Sequence, residues 1–394
     1  MLLYIFLILI IIIIFLLFQT RSPFWKYQPV YHIYNPINYF HWKPFIVNKD
    51  PIEINKYFNK NIKCLDISKL SENTKTYITN LVQNHFLKEK DIHYSPINQE
   101  IFNTFESHNK NSYISLYYDK EKLIETKNHN YCEDDKLVGI ITSRPLYVDF
   151  FKNKTGNIKM YYVDFLCVHE QYRNQKIAPQ LIQSHERLRR EKVPSIRISF
   201  FRRDIKLSNI MPFVHFKCHV FKTNYWTTPV KTKINLNIVT ISENNIHLLY
   251  DFLKENKSLF ECVITPHITH VLHLIKTKTI HIFMGVIGDN IIGTYFFKNS
   301  FTYFDKRIAY ECFGSIFSEK FNINDNLCAL EHSSFECAKN TKCGTILYDN
   351  ISHNTSYIKY IQKKYSESYN YPCAYYFYNF IIHPKPPEKI FIFH

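Results

Sequence analysis

The chain has 394 residues, a formal net charge of +15 and 46% hydrophobic residues, which suits either two to three domains or one large fold of two halves. Its seven glycines form neither a Walker A loop nor a Gly-x-Gly-x-x-Gly motif. The positive charge is typical of proteins that bind nucleic acid, anionic lipid or an anionic cofactor. Because zinc-finger and RRM signatures are absent from the sequence, we expect no nucleic-acid partner.

An uninterrupted apolar run over residues 1–18 has about the minimum length of a membrane-spanning helix. A cleaved signal peptide is disfavoured, since no basic residue precedes the run and no small residues mark a cleavage site. Arg21 and Lys26 follow the run, and the positive-inside rule then keeps the rest of the chain in the cytosol. We therefore predict a single-pass membrane anchor with a soluble body that faces the cytosol.

The next part of the chain alternates helical and extended patterns. Residues 22–59 are rich in Pro and aromatic side chains, which predicts an extended arm packed on the body. The elements predicted after this arm are helices over 72–86 and 99–105, strands over 136–151 and 161–170 with a turn at Gly156-Asn157, a helix over 178–191 and a strand over 195–201. This order is typical of an α/β unit.

A similar order of elements follows a predicted junction at 231–235. The predicted elements are helices over 245–254, 327–339 and 357–365, and strands over 281–287, 291–297, 309–317, 344–348 and 375–380. Gly288-Asp289-Asn290 is a hairpin signal between two of these strands. We thus predict an α/β fold with a mixed sheet, built from an N-terminal half at 19–230 and a C-terminal half at 231–394.

Metal sites and disulfides are not expected. Ten cysteines are scattered without a Cys-x-x-Cys pair, which favours reduced thiols. His215, Cys218 and His219 have spacing that a metal site would allow, and so does the His267-x-x-His270-x-x-His273 pattern. The second pattern is more simply one face of a helix, so we predict no metal.

The segment after the central strand has the features of an anion site. Residues 161–170 are apolar on both faces, which predicts a central strand. Arg173 and Lys176 lie in a basic loop, and a helix begins near Ile177 with Pro179 in its first turn. A strand end, a basic turn and a helix N-terminus together can hold a pyrophosphate, although a solvated strand–turn–helix would give the same pattern. The loop resembles the Arg/Gln-x-x-Gly-x-Gly/Ala loop of GNAT-type acyl-CoA transferases, with Lys176 in place of the middle Gly.

Four ordered segments resemble the N-myristoyltransferase (glycylpeptide N-tetradecanoyltransferase) family. They are Phe24-Trp25-Lys-Tyr-Gln-Pro-Val, the strand from Lys136 to Pro145, Asp164-Phe-Leu-Cys-Val-His169 with the basic loop, and Tyr375-Tyr-Phe-Tyr-Asn-Phe380. The resemblance extends from Phe24 to His394. It implies tandem GNAT-like halves, with acyl-CoA held by the N-terminal half and most of the peptide groove formed by the C-terminal half. The implied reaction moves myristoyl from myristoyl-CoA to the N-terminal glycine of target proteins, without a prosthetic group.

The resemblance also implies roles for individual residues. The backbone amides of Phe165 and Leu166, at a strand bulge, would form the oxyanion hole, and the chain-terminal carboxylate at His394 would be the base. The imidazole of His394 is an alternative base, and Asp164, His169 and His219 follow if the chain end is not catalytic. Tyr94 and Asn370 would face the peptide. The implied acyl-CoA contacts are Phe24, Trp25, Phe165, Leu166, Cys167, Val168, Arg173, Asn174, Gln175, Lys176, Ile177 and Ala178. A covalent role for Cys167 is disfavoured, because a Cys within a strand is usually buried and inert.

Three segments depart from the family pattern. Tyr369-Asn370-Tyr371 replaces Gly-Asp-Gly, the loop 88–91 is short and less acidic, and 199–203 replaces Tyr-Thr-x-Gly. The acyl-CoA half is therefore better kept than the peptide half. Two alternatives to the N-myristoyltransferase interpretation stay open: a GNAT-type acyltransferase that acts on another amine, and a non-catalytic acyl-CoA-binding membrane scaffold. We expect the protein to be a monomer.

Overall fold

The computed structural model describes residue 6 and residues 23–40, 43–87, 92–124, 131–151, 155–204, 207, 209–229 and 235–394. The predicted anchor at 1–18, apart from Phe6, and residues 231–234 of the predicted junction at 231–235 therefore lie outside the described residues. Among the described residues, no helix has both the length and the apolar composition needed to cross a bilayer.

The helices and strands follow one another along most of the chain. The helices are α1 (Ile37–Phe40), α2 (Glu72–His85), α3 (Asn98–Asn103), α4 (Ile177–Lys192), α5 (Ile246–Asn256), α6 (Ile268–Lys276), α7 (Ile323–Thr341) and α8 (Asn354–Ile361). The strands are β1 (Phe45–Ile46), β2 (Lys63–Asp66), β3 (Ile92–Tyr94), β4 (Tyr113–Ile124), β5 (Tyr131–Phe150), β6 (Thr155–Val168), β7 (Ile198–Arg203), β8 (Val214–Lys222), β9 (Leu236–Thr240), β10 (Cys262–Thr265), β11 (Ile280–Ile287), β12 (Asn290–Phe304), β13 (Arg307–Phe317), β14 (Thr345–Asp349), β15 (Tyr369–Tyr378), β16 (Phe380–Ile381) and β17 (Ile390–Ile392).

One mixed sheet organises the described part of the chain. Its main path runs β17-β10-β5-β6-β7-β15-β8-β14-β13-β12-β11-β9, and β2, β3 and β4 pair beside this path. β5 and β6 are antiparallel, whereas β6 and β7 are parallel and joined by α4, as in a βαβ crossover. Helix α4 packs on β4, β5 and β6, and helix α7 packs on β11 and β12. The α/β class and the mixed sheet of the sequence prediction are thus confirmed.

Strands from the two predicted halves alternate within this sheet. β15 lies between β7 and β8, and β10 joins the outer edge of β5. The largest apolar core accordingly combines residues from early and late segments, among them Phe150, Phe200 and Phe213 with Phe377 and Ile390. Because burial of apolar area is the main source of folding free energy, each half depends on the other for its core.

Most predicted elements are present with shifted ends, and one prediction was wrong. The predicted turn at Gly156-Asn157 is wrong, since both residues lie inside β6 and Thr155 before them already pairs with Phe150 of β5. The predicted hairpin at Gly288 is confirmed: Ile287 pairs with Asn290, and Gly288 has φ of +60°. His267 caps α6 and His270 is buried on it, as expected for a helix face. The described residues contain no cluster of three or more metal-ligating side chains.

Candidate active site at a strand bulge

The centre of the site is an irregularity in β6. Ile140 of β5 pairs with Cys167 and Thr142 pairs with Asp164, so that Phe165 and Leu166 both lie opposite Ile141. Two residues facing one define a β-bulge. Phe165 has φ of +46°, which is rare for a bulky residue and marks a backbone held by its surroundings.

The side chain of Phe165 fixes this backbone. Its ring is buried and lies against three other aromatic rings, with centroids 5.5 Å from Phe86, 5.9 Å from Phe105 and 6.0 Å from Tyr94. Phe86 follows α2, Phe105 follows α3 and Tyr94 is the last residue of β3. The positive φ is therefore stabilised by apolar packing on three separate segments of the chain.

Asp164 holds the bulge through polar contacts. Its Oδ1 accepts a hydrogen bond of 2.9 Å from Phe165 N, and its backbone oxygen accepts one of 2.9 Å from Thr142 Oγ1. Its Oδ2 lies 3.4 Å from Nη1 of Arg144, whose guanidinium also stacks on the ring of Tyr162. One of the two amides implied for the oxyanion hole thus donates to a carboxylate in this structure.

A mostly apolar cavity of about 300 Å³ opens on one side of the bulge. Trp25, Ile141, Val163, Ile182 and Phe201 form much of its wall. The full lining is Trp25, Phe86, Ile141, Val163, Asp164, Phe165, Leu166, Ile182, Glu186, Ser199, Phe201, Arg202, Arg203, Asp204 and Tyr378. We call this space the acyl cavity, after the acyl-CoA contacts that the family resemblance implies for Trp25, Phe165 and Leu166 in its lining.

The N-terminal arm covers the acyl cavity. Trp25 stacks on Phe201 with ring centroids 5.9 Å apart, and Phe24 contacts Trp25 at 5.0 Å and Tyr57 at 5.1 Å. Phe24 is buried, whereas Trp25 is half-buried and lines the cavity. The structure thus brings Trp25 of the predicted Phe24-Trp25 pair to the wall of the cavity that also contains Phe165 and Leu166, and Phe24 packs against Trp25.

A second and more polar cavity of about 160 Å³ lies on the other side of the bulge. We call it the amine cavity, because it contains His394, which the resemblance implies takes the proton of the attacking amine. Its lining is Phe86, Tyr94, Thr104, Arg144, Asp164, Phe165, His270, Leu274, Thr279, Ile280, Lys298, Asn299, Ser300, Phe301, Glu311 and His394. Phe86, Asp164 and Phe165 belong to both cavities, so the two spaces meet at the bulge.

His394 lies in the amine cavity and is buried. Its Nε2 is 3.3 Å from Tyr375 Oη and 3.4 Å from Lys298 Nζ, and its ring lies 4.6 Å from that of Tyr162. Burial lowers the pKa of its imidazole well below the ordinary value, and the charges of Lys298, Arg144 and Arg202 lower it further. The imidazole is therefore neutral at pH 7.

A network of buried charges lies next to the amine cavity and contributes Glu311 and Lys298 to its wall. Arg202 donates two hydrogen bonds to Asp349, of 2.8 and 3.2 Å, and one of 2.8 Å to Glu311. Glu311 also lies 3.4 Å from Lys298 Nζ, which links the network to His394. Burial raises the pKa of Glu311, but Lys298 and Arg202 outweigh it and lower the pKa to about 2. Burial raises the pKa of Asp349, and the negative charge of Glu311 raises it further. As the pH falls, Asp349 therefore takes up a proton before Glu311 does.

The basic loop after β6 contains two residues in the left-handed conformation. Asn174 and Lys176 have φ of 64° and 62°, and Lys176 is the N-cap of α4. Arg173 is oriented by hydrogen bonds from Nε to Val168 O at 3.3 Å and from Nη2 to His85 O at 2.5 Å. Gln175 and Lys176 are exposed, Ile177 is buried and Ala178 is half-buried. Lysine thus occupies a left-handed position that ordinarily favours glycine.

Cys167 has the properties of a structural residue. It is buried, and its Sγ lies 3.7 Å from Leu81 O. Burial raises the pKa of its thiol to about 12, despite the nearby charge of Arg173. Because the thiolate is the nucleophilic form of cysteine, the thiol is inert at neutral pH.

The two residues predicted to face the peptide lie in different places. Tyr94 is buried in the amine cavity, with its ring 6.4 Å from that of Phe301. Asn370 is exposed at the start of β15, opposite His219. It is five residues from Tyr375, roughly 17 Å along a strand, and it is not among the described residues that line either cavity.

The three further candidate bases are also separated. Asp164 lines both cavities, whereas His219 is paired with Glu367 at 3.0 Å and the ring of His169 lies 3.9 Å from that of His85.

Three charged residues of the site were not found from the sequence: Arg144, Lys298 and Glu311. They come from β5, β12 and β13, and only the strand order of the sheet brings them together.

The chain and its fold are similar to known proteins. Residues 42–212 match the family described as myristoyl-CoA:protein N-myristoyltransferase, N-terminal domain. A structure of the Saccharomyces cerevisiae N-myristoyltransferase with bound myristoyl-CoA is similar, with a TM-score of 0.68, 16% identity and coverage of 93% of this chain and 94% of that chain. A second set of crystal structures of the yeast enzyme with myristoyl-CoA gives a TM-score of 0.68 at 14% identity, covering 94% and 91% of the two chains.

A third yeast structure, with bound myristoyl-CoA and inhibitors, has a TM-score of 0.67 at 15% identity and covers 95% of this chain and 94% of that chain. No curated protein sequence matches the chain. At such low identities the structural likeness establishes the fold.

Proposed function

We propose that this chain, which belongs to the N-myristoyltransferase family through its domain at residues 42–212, transfers a myristoyl group from myristoyl-CoA to the N-terminal glycine of target proteins. The observation that carries this proposal is the bulge at Phe165 and Leu166, where an apolar cavity meets a polar one. A thioester carbonyl at the bulge would have its hydrocarbon chain in the acyl cavity and its attacking amine in the amine cavity. The N-terminal half would then hold acyl-CoA, and the C-terminal half most of the peptide.

Acyl-CoA is the cosubstrate in this proposal, and no prosthetic group is needed. Its phosphates would bind the loop from Arg173 to Ala178, where the free N–H groups at the start of α4 attract an anion. The exposed ammonium of Lys176 and the oriented guanidinium of Arg173 add positive charge to this turn. Phe24 and Trp25 would cover the bound chain.

The chemical step is attack of the glycine nitrogen on the thioester carbon. A C–N bond forms, the carbonyl oxygen takes up negative charge, and the amides of Phe165 and Leu166 stabilise that oxygen. Collapse of the intermediate breaks the C–S bond and releases the thiolate of CoA, which then takes a proton. Cys167 has no part in the transfer, since its thiol stays protonated.

The incoming amine must lose a proton before it attacks, because an N-terminal ammonium with a pKa of about 8 is mostly charged at neutral pH. We propose that the carboxylate carried by a chain ending at His394 accepts this proton. The buried position of His394 in the amine cavity supports the assignment. Tyr94 and Lys298 line the same cavity and would contact the first residues of the peptide.

We also propose that the apolar run at residues 1–18 anchors the protein in a membrane. A single-pass anchor with the body in the cytosol would hold the enzyme at the surface where acylated products bind, since one acyl chain alone binds membranes only marginally. Release of the full-length protein by carbonate extraction, or glycosylation at Asn153, would contradict this anchor.

Mass spectrometry of the purified full-length chain with myristoyl-CoA tests the activity. We expect a peptide with a free N-terminal glycine to gain one myristoyl group. A control peptide has its N-terminal glycine acetylated and carries a lysine within its sequence, so its one free amine is that of the lysine. This peptide should stay unmodified. Modification of the lysine would instead support an acyltransferase for another amine, and binding without transfer would support the scaffold alternative.

The role of the chain end has its own test. Adding a few residues after His394 should abolish transfer, because the carboxylate moves away from the bulge, and should leave acyl-CoA binding nearly intact. His394→Ala keeps a terminal carboxylate and should retain transfer, whereas loss of transfer in His394→Ala would assign the base to the imidazole. Full activity in the extended chain would exclude a catalytic role for this carboxylate and direct the search to Asp164.

A further inference from the structure

The acyl cavity has an open end and a closed end. β6 and β7 pair from Met160 with Ile198 up to Val163 with Phe201, and their pairing stops there. Phe165 and Leu166 on one strand and residues 202–204 on the other line the open end. Ser199 lies further along the paired region, opposite Tyr161 of β6 and Tyr378 of β15, and it marks the closed end.

Helix α4 forms one wall between these ends. Ile182 and Glu186 both line the cavity and are one helical turn apart on the same face. Since α4 runs back along the strand that precedes it, Glu186 lies deeper than Ile182, at the level of Ser199.

A buried ion pair holds the closed end. Ser199 Oγ donates to Glu186 Oε1 at 2.6 Å, and Arg189 Nη2 donates to Glu186 Oε2 at 2.8 Å. The side chains of Arg189 and Glu186 are 0% and 3% exposed, so this pair is removed from water. Burial raises the pKa of Glu186, but Arg189, His185 and the hydrogen bonds outweigh it, and the net pKa is lowered. The carboxylate is therefore ionised at neutral pH.

Arg189 cannot easily leave this arrangement. Its Nη1 donates to Ile196 O at 3.0 Å, its Nη2 also donates to Ser199 at 3.0 Å, and its guanidinium stacks on Tyr161. Tyr378 Oη, also at the closed end, donates to Gln28 Oε1 at 2.5 Å. An apolar chain end that reached these groups would have to displace buried hydrogen bonds without replacing them, which is unfavourable.

We propose that Glu186, fixed by Ser199 and Arg189, closes the acyl cavity and sets the longest acyl chain that the protein accepts. This inference rests on the proposed function, because it concerns the acyl-CoA donor of the same site. Chains that end before Glu186 gain apolar contact with each added methylene group. For acyl chains that reach Glu186, the affinity falls abruptly. A plot of affinity against acyl-chain length therefore has a step at this limit rather than a gradual decline.

Three substitutions at Ser199 test the proposal with saturated acyl-CoAs from octanoyl to stearoyl. Ser199→Val adds two methyl groups at the closed end, and Ser199→Ala removes the same hydroxyl without adding volume. Ser199→Thr adds one methyl group and keeps a hydroxyl for Glu186, so it reports on the closed end if the valine variant folds poorly. The readouts are the Kd for each acyl-CoA by calorimetry and kcat/KM with a Gly peptide.

We expect Ser199→Val to move the step to chains about two carbons shorter and to lower kcat/KM for the longest accepted chain about 15-fold, as for the loss of two buried methylene groups. Ser199→Ala should keep the step where it is. Binding of acyl-CoA with an unchanged step in both Ser199→Val and Ser199→Thr would overturn the inference and leave the proposed function intact. Failure of the wild-type chain to bind any acyl-CoA would instead overturn the proposed function, and this inference with it.

Discussion

Asp164 gives the sharpest test of the proposed chemistry, because its carboxylate accepts a hydrogen bond from an amide of the proposed oxyanion hole. Phe165 N lies 2.9 Å from Asp164 Oδ1. A developing oxyanion would have to share this N–H group with a carboxylate of the same sign. Asp164→Asn keeps the shape of the side chain and an oxygen acceptor for Phe165, and removes the negative charge.

The size of the effect follows from the geometry. An oxyanion bound to Phe165 N would lie about 5 Å from the carboxylate, where two unit charges repel by about 3 kcal/mol at an effective dielectric constant of about 20. Asp164 is 31% exposed and also contacts Arg144, so water and that cation screen part of the repulsion. Taking about one third as effective gives about 1 kcal/mol, or a rate increase of about 5-fold.

The assay is single-turnover transfer from myristoyl-CoA to a Gly peptide, with the Kd for myristoyl-CoA measured in parallel. We expect Asp164→Asn to react faster with an almost unchanged Kd. Asp251→Asn is the matched control, because it makes the same change of charge on an exposed face of α5 and should have no effect. A fall in rate of tenfold or more would refute the reasoning and identify Asp164 as the proton acceptor.

Three further predictions concern the loop, a buried histidine and the charge network. Lys176→Gly should raise the free energy of unfolding by about 1 kcal/mol, because the position has φ of 62°, and it should weaken acyl-CoA binding. Lys176→Ala should weaken binding equally but should not raise the free energy of unfolding. Equal stability of the two variants in urea titrations would contradict this prediction. Burial lowers the pKa of His185 to about 3, so the unfolded chain binds a proton that the folded chain does not, and stability should fall as the pH drops from about 6.5 towards 4. His185→Gln should make that slope shallower by up to about 1.4 kcal/mol per pH unit in urea titrations, and an unchanged slope would show that the ring is protonated in the folded protein. Arg202→Met should lower the free energy of unfolding by about 3–5 kcal/mol, because the buried Asp349 loses its paired cation and Glu311 keeps Lys298 alone of its two cations. The exposed Arg203→Met should cost little, and similar melting temperatures of the two variants would argue against the network.

Local sequence signals predicted the long elements well. The helix predicted over 72–86 is α2, since Ser71 accepts a hydrogen bond from Thr74 N and the apolar positions Ile78, Leu81 and Val82 fall on one face. Short strands such as β10 were missed, because their extended conformation depends on partners far away in the chain. The turn at Gly156 was misplaced for the same reason: the pairing of β5 with β6 outweighs a local glycine signal.

The candidate site was predictable only where one continuous segment forms it. The strand end, the bulge and the loop up to Ala178 are a single stretch of sequence, so a family motif can describe them. Lys298 and Glu311 lie more than 130 residues beyond Phe165, and they reach it through strand order alone. Glu186 lies within a helix whose charged residues suggest a solvated face, and only the sheet beneath α4 shows that it is buried.

The alternation of early and late strands in the sheet has a consequence for how the protein acquires its structure. β4 pairs with β5 over residues 131–143, but residues 147–150 of β5 gain a neighbour on that side only when residues 262–265 are available, and residues 262–264 pair in turn with residues 390–392. Pairings of this kind have a large sequence separation, which slows folding because long loops must close before any contact compensates for the lost entropy. During synthesis, residues 147–150 of β5 and the face of β7 that later pairs with β15 therefore stay unpaired until the C-terminal strands are made. We expect the protein to fold after translation and to depend on chaperones that bind extended apolar segments in that interval.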